Sequence, residues 1–215
     1  MEITWYGHSC FRLTERGMAT VVCDPFDHEA VGYSQLKLKA NIVTCSHNSP
    51  GHNYLKAVTG SPYQITGPGE FEIGGVFITG VQTNGKKKVA AGEDRNTLYV
   101  INYNGINVVH LGGINRVPSQ TQVEALGRVH IALVPIGGGG SLNASKAAEV
   151  ISLLEPGLVI PMHYSTPGAK VKMDPLPKFL KVMGLEAVEP IPSLKVTSEK
   201  SITEETKVIV LDLKG

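Results

Sequence analysis

Short apolar runs, each stopped by glycine, proline, asparagine or aspartate, succeed one another along the chain, and their rhythm changes half-way. Ile3–Tyr6 stops at Gly7, Cys10–Leu13 alternates, Glu15-Arg16-Gly17 turns, and Ala19–Cys23 stops at Asp24-Pro25. Such spacing predicts an antiparallel meander. Further strands are predicted over Asn41–Cys45, which runs into a polar loop from Ser46 to Asn53, and over Val76–Val81. Asn104-Gly105 between the apolar runs Thr97–Asn102 and Ile106–Leu111 is a hairpin signal. The second half reads differently. Ser119–Leu126 is predicted helical and Val129–Ile136 is a buried strand. Asn143 caps a helix whose Ala147, Val150, Ile151 and Leu154 share a face. Leu158–Pro161 is a strand, Pro175–Gly184 a helix and Lys207–Leu213 an alternating strand. Strands first, then strand–helix–strand units, with no linker or repeat between them, predict a single α/β domain over residues 1–215 with mixed sheets.

Composition removes several functions. Lys and Arg number 20 against 19 Asp and Glu, a net charge of +1, and aromatic residues make up 6% of the 215 residues. Neither a phosphate-binding basic face nor a base-stacking platform is expected, so nucleic acid is not a predicted partner. No apolar run is long enough to span a bilayer, and the first residues lack a basic segment followed by an apolar one. Cys10, Cys23 and Cys45 are odd in number and form no CxxC pair, which predicts three buried thiols in a reducing, cytoplasmic compartment. Lys86-Lys87-Lys88 is predicted to be exposed loop. A small-molecule ligand and a homo-oligomer are compatible with this composition.

The chemistry lies in the histidines. His47 and His52 follow the run Ile42–Cys45, His110 ends Ile106–Val109, and His163 ends Leu158–Met162. Histidines at strand ends, gathered at one sheet edge, are a way to build a zinc site from distant segments, since neutral imidazole is a good ligand and a catalytic site keeps about three protein ligands and an open position. His28 and His130 belong to no such pattern and are predicted at the surface. Gly137–Gly140 follows a strand and precedes a helix but lacks the spacing of a phosphate loop, and reads as a wide turn. Ser9 beside His8, and Cys10, have no nucleophile-elbow pattern around them.

Trp5-Tyr6-Gly7-His8-Ser9, Asp24-Pro25-Phe26, Thr44-Cys45-Ser46-His47, Gly67-Pro68-Gly69-Glu70, His110-Leu111-Gly112 and Pro161-Met162-His163-Tyr164 stand in one order along the chain. Together, from residue 2 to about 185, they resemble the metallo-β-lactamase fold, and within it the predicted zinc-dependent hydrolases that include ascorbate-phosphate lactonase-like proteins. The resemblance implies an αββα four-layer sandwich, two mixed sheets flanked by helices, with a dinuclear metal site at one sheet edge. Three of the seven implied ligand positions carry a ligand here: His47, His52 and His163. Ser49 and Gly51 stand where the signature His-x-His-x-Asp-His has its second histidine and aspartate. Gly85 stands at the next histidine and Gly113 at the bridging aspartate. His8, Asp24 and His110 are implied to lie near the cleft, supporting ligands or facing substrate; Asp24 and Cys45 are also candidate substitute ligands.

Three readings follow. The chain is a hydrolase homologue that has lost its dinuclear site and binds a ligand without turnover, with no tightly bound metal. Alternatively it is a hydrolase with one zinc on His47, His52 and His163, acting on a small phosphorylated or lactone substrate. The third is a metal-independent enzyme using His8 or His110 as acid or base. On the resemblance, Ser49→His, Gly51→Asp, Gly85→His and Gly113→Asp together would rebuild the ligand set, the foreseen obstacles being a left-handed backbone at a glycine or a loop shifted by Pro50.

Overall fold

The computed structural model describes residues 1–83 and 95–214. The expectations for Gly85 and for Lys86-Lys87-Lys88 lie outside the described residues.

The chain opens with β1 (Glu2–Trp5), β2 (Phe11–Thr14), β3 (Val21–Cys23), the short helix α1 (His28–Val31), β4 (Leu38–Lys39) and β5 (Ile42–Thr44). It continues with β6 (Val58–Thr59), β7 (Tyr63–Ile65), β8 (Gly69–Ile73), β9 (Val76–Gln82), β10 (Thr97–Tyr103) and β11 (Ile106–His110). The rest comprises α2 (Gln120–Leu126), β12 (Ile131–Pro135), α3 (Ala144–Leu154), β13 (Leu158–Met162), α4 (Leu176–Val182), β14 (Leu194–Lys195) and β15 (Lys207–Val208). Two mixed sheets result, in the orders β14-β1-β2-β3-β5-β7 and β15-β13-β12-β11-β10-β9-β8, while β4 and β6 pair apart.

Alternation places the core. Phe11, Leu13, Val21, Cys23 and Ile42 of the first sheet pack in the same cluster as Ile78, Tyr99, Ile101 and Tyr103 of the second. Their neighbours Val22 and Val43 point the other way, into a smaller cluster with Phe26, Val31 and Tyr33 around α1. Two tyrosines bolt the sheets together: Tyr103 Oη donates to the carbonyls of Ala19 (2.6 Å) and Leu13 (3.2 Å), and Tyr99 Oη to those of Cys45 (3.0 Å) and Ile65 (3.2 Å). β12 is buried throughout, as expected of a parallel strand covered on both faces, with α3 packed against it. The sandwich expected from the sequence is present, with α3 and α4 packed together and the thin α1 beside the first sheet.

Strand direction decides where a site can form. In the first sheet β1, β3, β5 and β7 run the same way, because β2 is antiparallel to both β1 and β3 and β3, β5 and β7 pair in parallel. In the second sheet β11, β12, β13 and β15 are parallel. The segments leaving the C-terminal ends of β1, β3, β5, β11, β12 and β13 therefore gather at one edge, the place where parallel strands leave room for ligands.

Some sequence expectations change. The tail pairs only at Lys207–Val208 and through a bridge between Ile191 and Leu211, and does not form the longer strand expected to Leu213. His130 is buried, not at the surface: its Nδ1 accepts the Asn107 amide at 2.9 Å and its Nε2 lies 3.2 Å from Glu199. It precedes β12, at the strand end away from the gathered loops, where its Nδ1 ties this segment to β11. No helix among the described residues is long and apolar enough to cross a membrane.

Candidate metal centre

Three site residues leave their strands through a left-handed backbone. His8 after β1, Asp24 after β3 and His163 after β13 have φ of 50°, 44° and 53°. This region is costly for most side chains and tolerated best by Asn, Asp and His, and strain of this kind collects at functional sites. At His8 and His163 the turn is held by backbone bonds. The His8 carbonyl accepts the His163 amide at 2.9 Å and the Trp5 indole at 3.1 Å, and Trp5 stacks on Tyr164 with centroids 5.1 Å apart.

Asp24 anchors the loop after β5. It is wholly buried. Its Oδ1 accepts the Ser46 amide at 2.7 Å, while its Oδ2 accepts the Ser46 hydroxyl at 2.5 Å and His52 Nδ1–H at 2.7 Å. With Nδ1 committed to a carboxylate, His52 is left with Nε2 to offer a ligand, the arrangement that orients metal-binding histidines in general. Ser46 Oγ, its proton given to Asp24, accepts from His47 Nδ1 at 3.0 Å. His163 Nδ1 lies 3.1 Å from Ser141 Oγ in the segment after β12. Burial alone would raise the Asp24 carboxyl, but the neighbouring His110 and the bond and charge of His52 hold it down at about 2.

The rings form a compact set. Centroids lie 4.1 Å apart for His8–His163, 4.8 Å for His8–His52, 5.7 Å for His52–His163 and 4.1 Å for His47–His52. His8, His52 and His163 are buried, and each offers a nitrogen within 4.8 Å of the others, a grouping that fits one ion. Nδ1 of His8 is buried with no hydrogen-bond partner among the described residues. Burial, then the charges of neighbouring histidines, pushes His163 down to about 3 and His8 well below its usual value. Both imidazoles are therefore neutral at physiological pH, the form that binds metal. The rings face a cavity of about 740 Å³ that also exposes Asn96, Arg116 and Ser141. Among its described lining residues there is no Asp or Glu.

Sequence reasoning grouped His47, His52 and His163; the geometry brings His8, not His47, into the tightest group, and sets His47 against His52. A residue directly after Gly7, at the end of a strand parallel to β3 and β5, was the signal available for this. Asp24 lies beside this group, with Oδ2 accepting from His52 Nδ1. His110 is wholly buried, with Nε2 donating to the Ser9 carbonyl at 2.8 Å and Nδ1 accepting the Gly112 amide at 3.2 Å, so both nitrogens serve the backbone. Cys45 is buried and free, its thiol pushed up by burial first and then by Asp24, and it lies outside the group of three.

Ser49 lines the cavity and its carbonyl accepts the His52 amide at 2.8 Å. Gly51 and Gly113 do not have left-handed backbones. Instead, a Cβ added at Gly51 would lie 2.6 Å from His8 Nε2, and one at Gly113 would lie 2.4 Å from His47 Cε1. The obstacle to aspartates at these positions is thus the imidazoles already there, rather than the backbone.

Comparison with known proteins agrees with this architecture. The sequence profile of the Beta-lactamase superfamily domain matches residues 2–163. A UPF0173 metal-dependent hydrolase of Methanocaldococcus jannaschii is 25% identical over 213 residues, covering 87% of this chain and 96% of the relative. One of Natranaerobius thermophilus is 26% identical over 196 residues, 77% of this chain and 84% of the relative. Among solved structures, a Thermotoga maritima protein assigned to the Zn-dependent hydrolases of the metallo-β-lactamase superfamily is 34% identical, with a TM-score of 0.79 over 98% of this chain and 97% of that one. Strand-end histidines at one edge of a two-sheet sandwich, with these likenesses over nearly the whole chain, lead to one conclusion: the chain belongs to the metallo-β-lactamase superfamily.

Proposed function

We propose that this protein holds one late first-row metal ion, zinc being the natural candidate, through His8, His52 and His163, and acts as a one-ion hydrolase-like protein on a small ligand entering the cavity. The observation that carries this is the convergence of three buried, oriented imidazoles on a space open to that cavity. Three neutral nitrogens leave a tetrahedral ion one open position. An ion held there would supply Lewis acidity, polarising a carbonyl or phosphoryl oxygen. Asp24 fixes the tautomer of His52, Ser141 positions His163, and the left-handed turns at His8 and His163 keep both rings facing inward. The relatives named metal-dependent hydrolases support a hydrolytic chemistry of this kind. A two-ion centre has no support here, since no carboxylate among the described residues stands between two ion positions.

A second reading, a homologue that binds its ligand without turning it over, is favoured by one feature: no acidic side chain among the described lining residues could orient a nucleophile. Under either reading the three buried thiols suit a reducing compartment.

Metal counting after zinc reloading and gel filtration separates the donor sets. Wild type is expected to retain close to one zinc per chain, with His8→Ala, His52→Ala and His163→Ala each losing most of it and His47→Ala keeping it. Loss in His47→Ala with retention in His8→Ala would restore the set expected from the sequence, and two zinc ions per chain would overturn the one-ion reading.

A further inference from the structure

We propose that Gly51 is a specificity-determining residue of this centre: the missing side chain is what admits the His8 ring as third donor, while Gly113 leaves room for the His47 ring beside His52. The inference rests on the one-ion reading above and concerns how the donor set is chosen. Glycine is commonly demanded by a backbone that other residues cannot adopt. That cause is absent at both positions, because neither has a left-handed φ. What fills the Cβ space is, in each case, an imidazole edge: His8 Nε2 at 2.6 Å and Cδ2 at 3.1 Å from a Cβ at 51, and His47 Cε1 at 2.4 Å and Nε2 at 3.1 Å from a Cβ at 113. These separations are shorter than van der Waals contact, so with a side chain at 51 the His8 ring could not keep its present position.

His8 has little freedom to yield. It is 3% exposed, its carbonyl is fixed by His163 and Trp5, and its ring lies between those of His52 and His163. Away from residue 51 the ring would have to move against the His52 and His163 rings beside it. Residue 51 is thereby coupled to metal affinity without touching the ion. The same relation sets the chemical class of the ion. With glycine at 51 and 113 the donors are all imidazole, which suits zinc, cobalt, nickel and copper and disfavours magnesium, calcium and manganese, ions that prefer oxygen ligands.

The test uses Co²⁺ alone as a spectroscopic probe with wild type, Gly51→Ala, His8→Ala and the double variant. Wild type is expected to bind one Co²⁺ with an intense tetrahedral visible band. Gly51→Ala, with unchanged far-ultraviolet circular dichroism, should bind at least tenfold more weakly, and His8→Ala should lose as much or more. The double variant should be no weaker than His8→Ala, since residues acting through one contact are not additive. Should Gly51→Ala fail to fold, the double variant is expected to fold, because the ring that obstructs the methyl group is gone. Wild-type affinity in Gly51→Ala, additive losses in the double variant, or a double variant that misfolds like the single one would overturn the proposal. Wild type that binds no Co²⁺ would instead overturn the one-ion reading beneath it.

Discussion

Asp24 shows how one residue holds this centre. Its two oxygens take three donors in a space closed to water, so no solvent molecule can replace a missing acceptor. Asp24→Asn keeps the shape but offers one acceptor oxygen in place of two, and its amide faces groups that are themselves donors. A donor left unsatisfied in a buried site costs about 1–3 kcal/mol, and more where the lost partner was charged. The expected result is a loss of about 2–3 kcal/mol in urea unfolding of the metal-free protein. Zinc affinity measured by chelator competition should also fall about 10–100-fold, as His52 loses the bond that orients it. Unchanged affinity in a stable Asp24→Asn protein would show that His52 is oriented by something else.

At the scale of elements, the two sheets are joined by side chains that carry hydroxyls across the core. Tyr103 Oη donates to carbonyls at Leu13 and Ala19, near the turn between β2 and β3, and the ring is otherwise enclosed by apolar neighbours. Tyr103→Phe keeps the ring and removes the donor, leaving two carbonyls on the first sheet with one fewer partner. A decrease of about 1–2 kcal/mol in unfolding free energy with an unchanged denaturant slope is expected, from the usual worth of a buried hydrogen bond. A neutral result would show that those carbonyls find other donors. These elements differ in how legible they were from the sequence. The hairpin at Asn104-Gly105 was, because φ of 51° and 87° at the two residues is what that pair prefers. So were α3 with Asn143 as its cap, accepting an amide at 3.0 Å, and α2, although Ser119, expected inside that helix, caps it instead and accepts an amide at 3.4 Å. Five strands, β4, β6, β7, β8 and β14, were not legible, and β7 and β8 show why. Tyr63-Gln64-Ile65 is mostly exposed and offers too short a run for any period, and the alternation of Gly69–Ile73 is of intermediate and exposed residues, with no apolar stripe to mark it. β7 pairs with β5, across the loop that carries His52, whereas β8 pairs with the adjacent β9 across the Gly74-Gly75 turn.

For the molecule as a whole, topology converts separated sequence blocks into one site. Parallel strands in both sheets send their C-terminal ends to a common edge, so residues 8, 24, 52 and 163 meet although they lie far apart in the chain. His52 and His163 were legible as candidates from strand-end position alone. His8 was legible as a cleft residue from its place after Gly7, but its entry into the tightest group was not, because the room that Gly51 leaves for its ring makes no mark on local sequence pattern. The central claim is therefore a donor set of three imidazoles around a single ion, and X-ray absorption at the zinc edge of the loaded protein tests it most directly. The account predicts three imidazole nitrogens and one further light ligand at about 2.0–2.1 Å. It also predicts no metal neighbour at about 3.5–4 Å. A metal–metal distance in that range, or a first shell with fewer than three imidazoles, would contradict it.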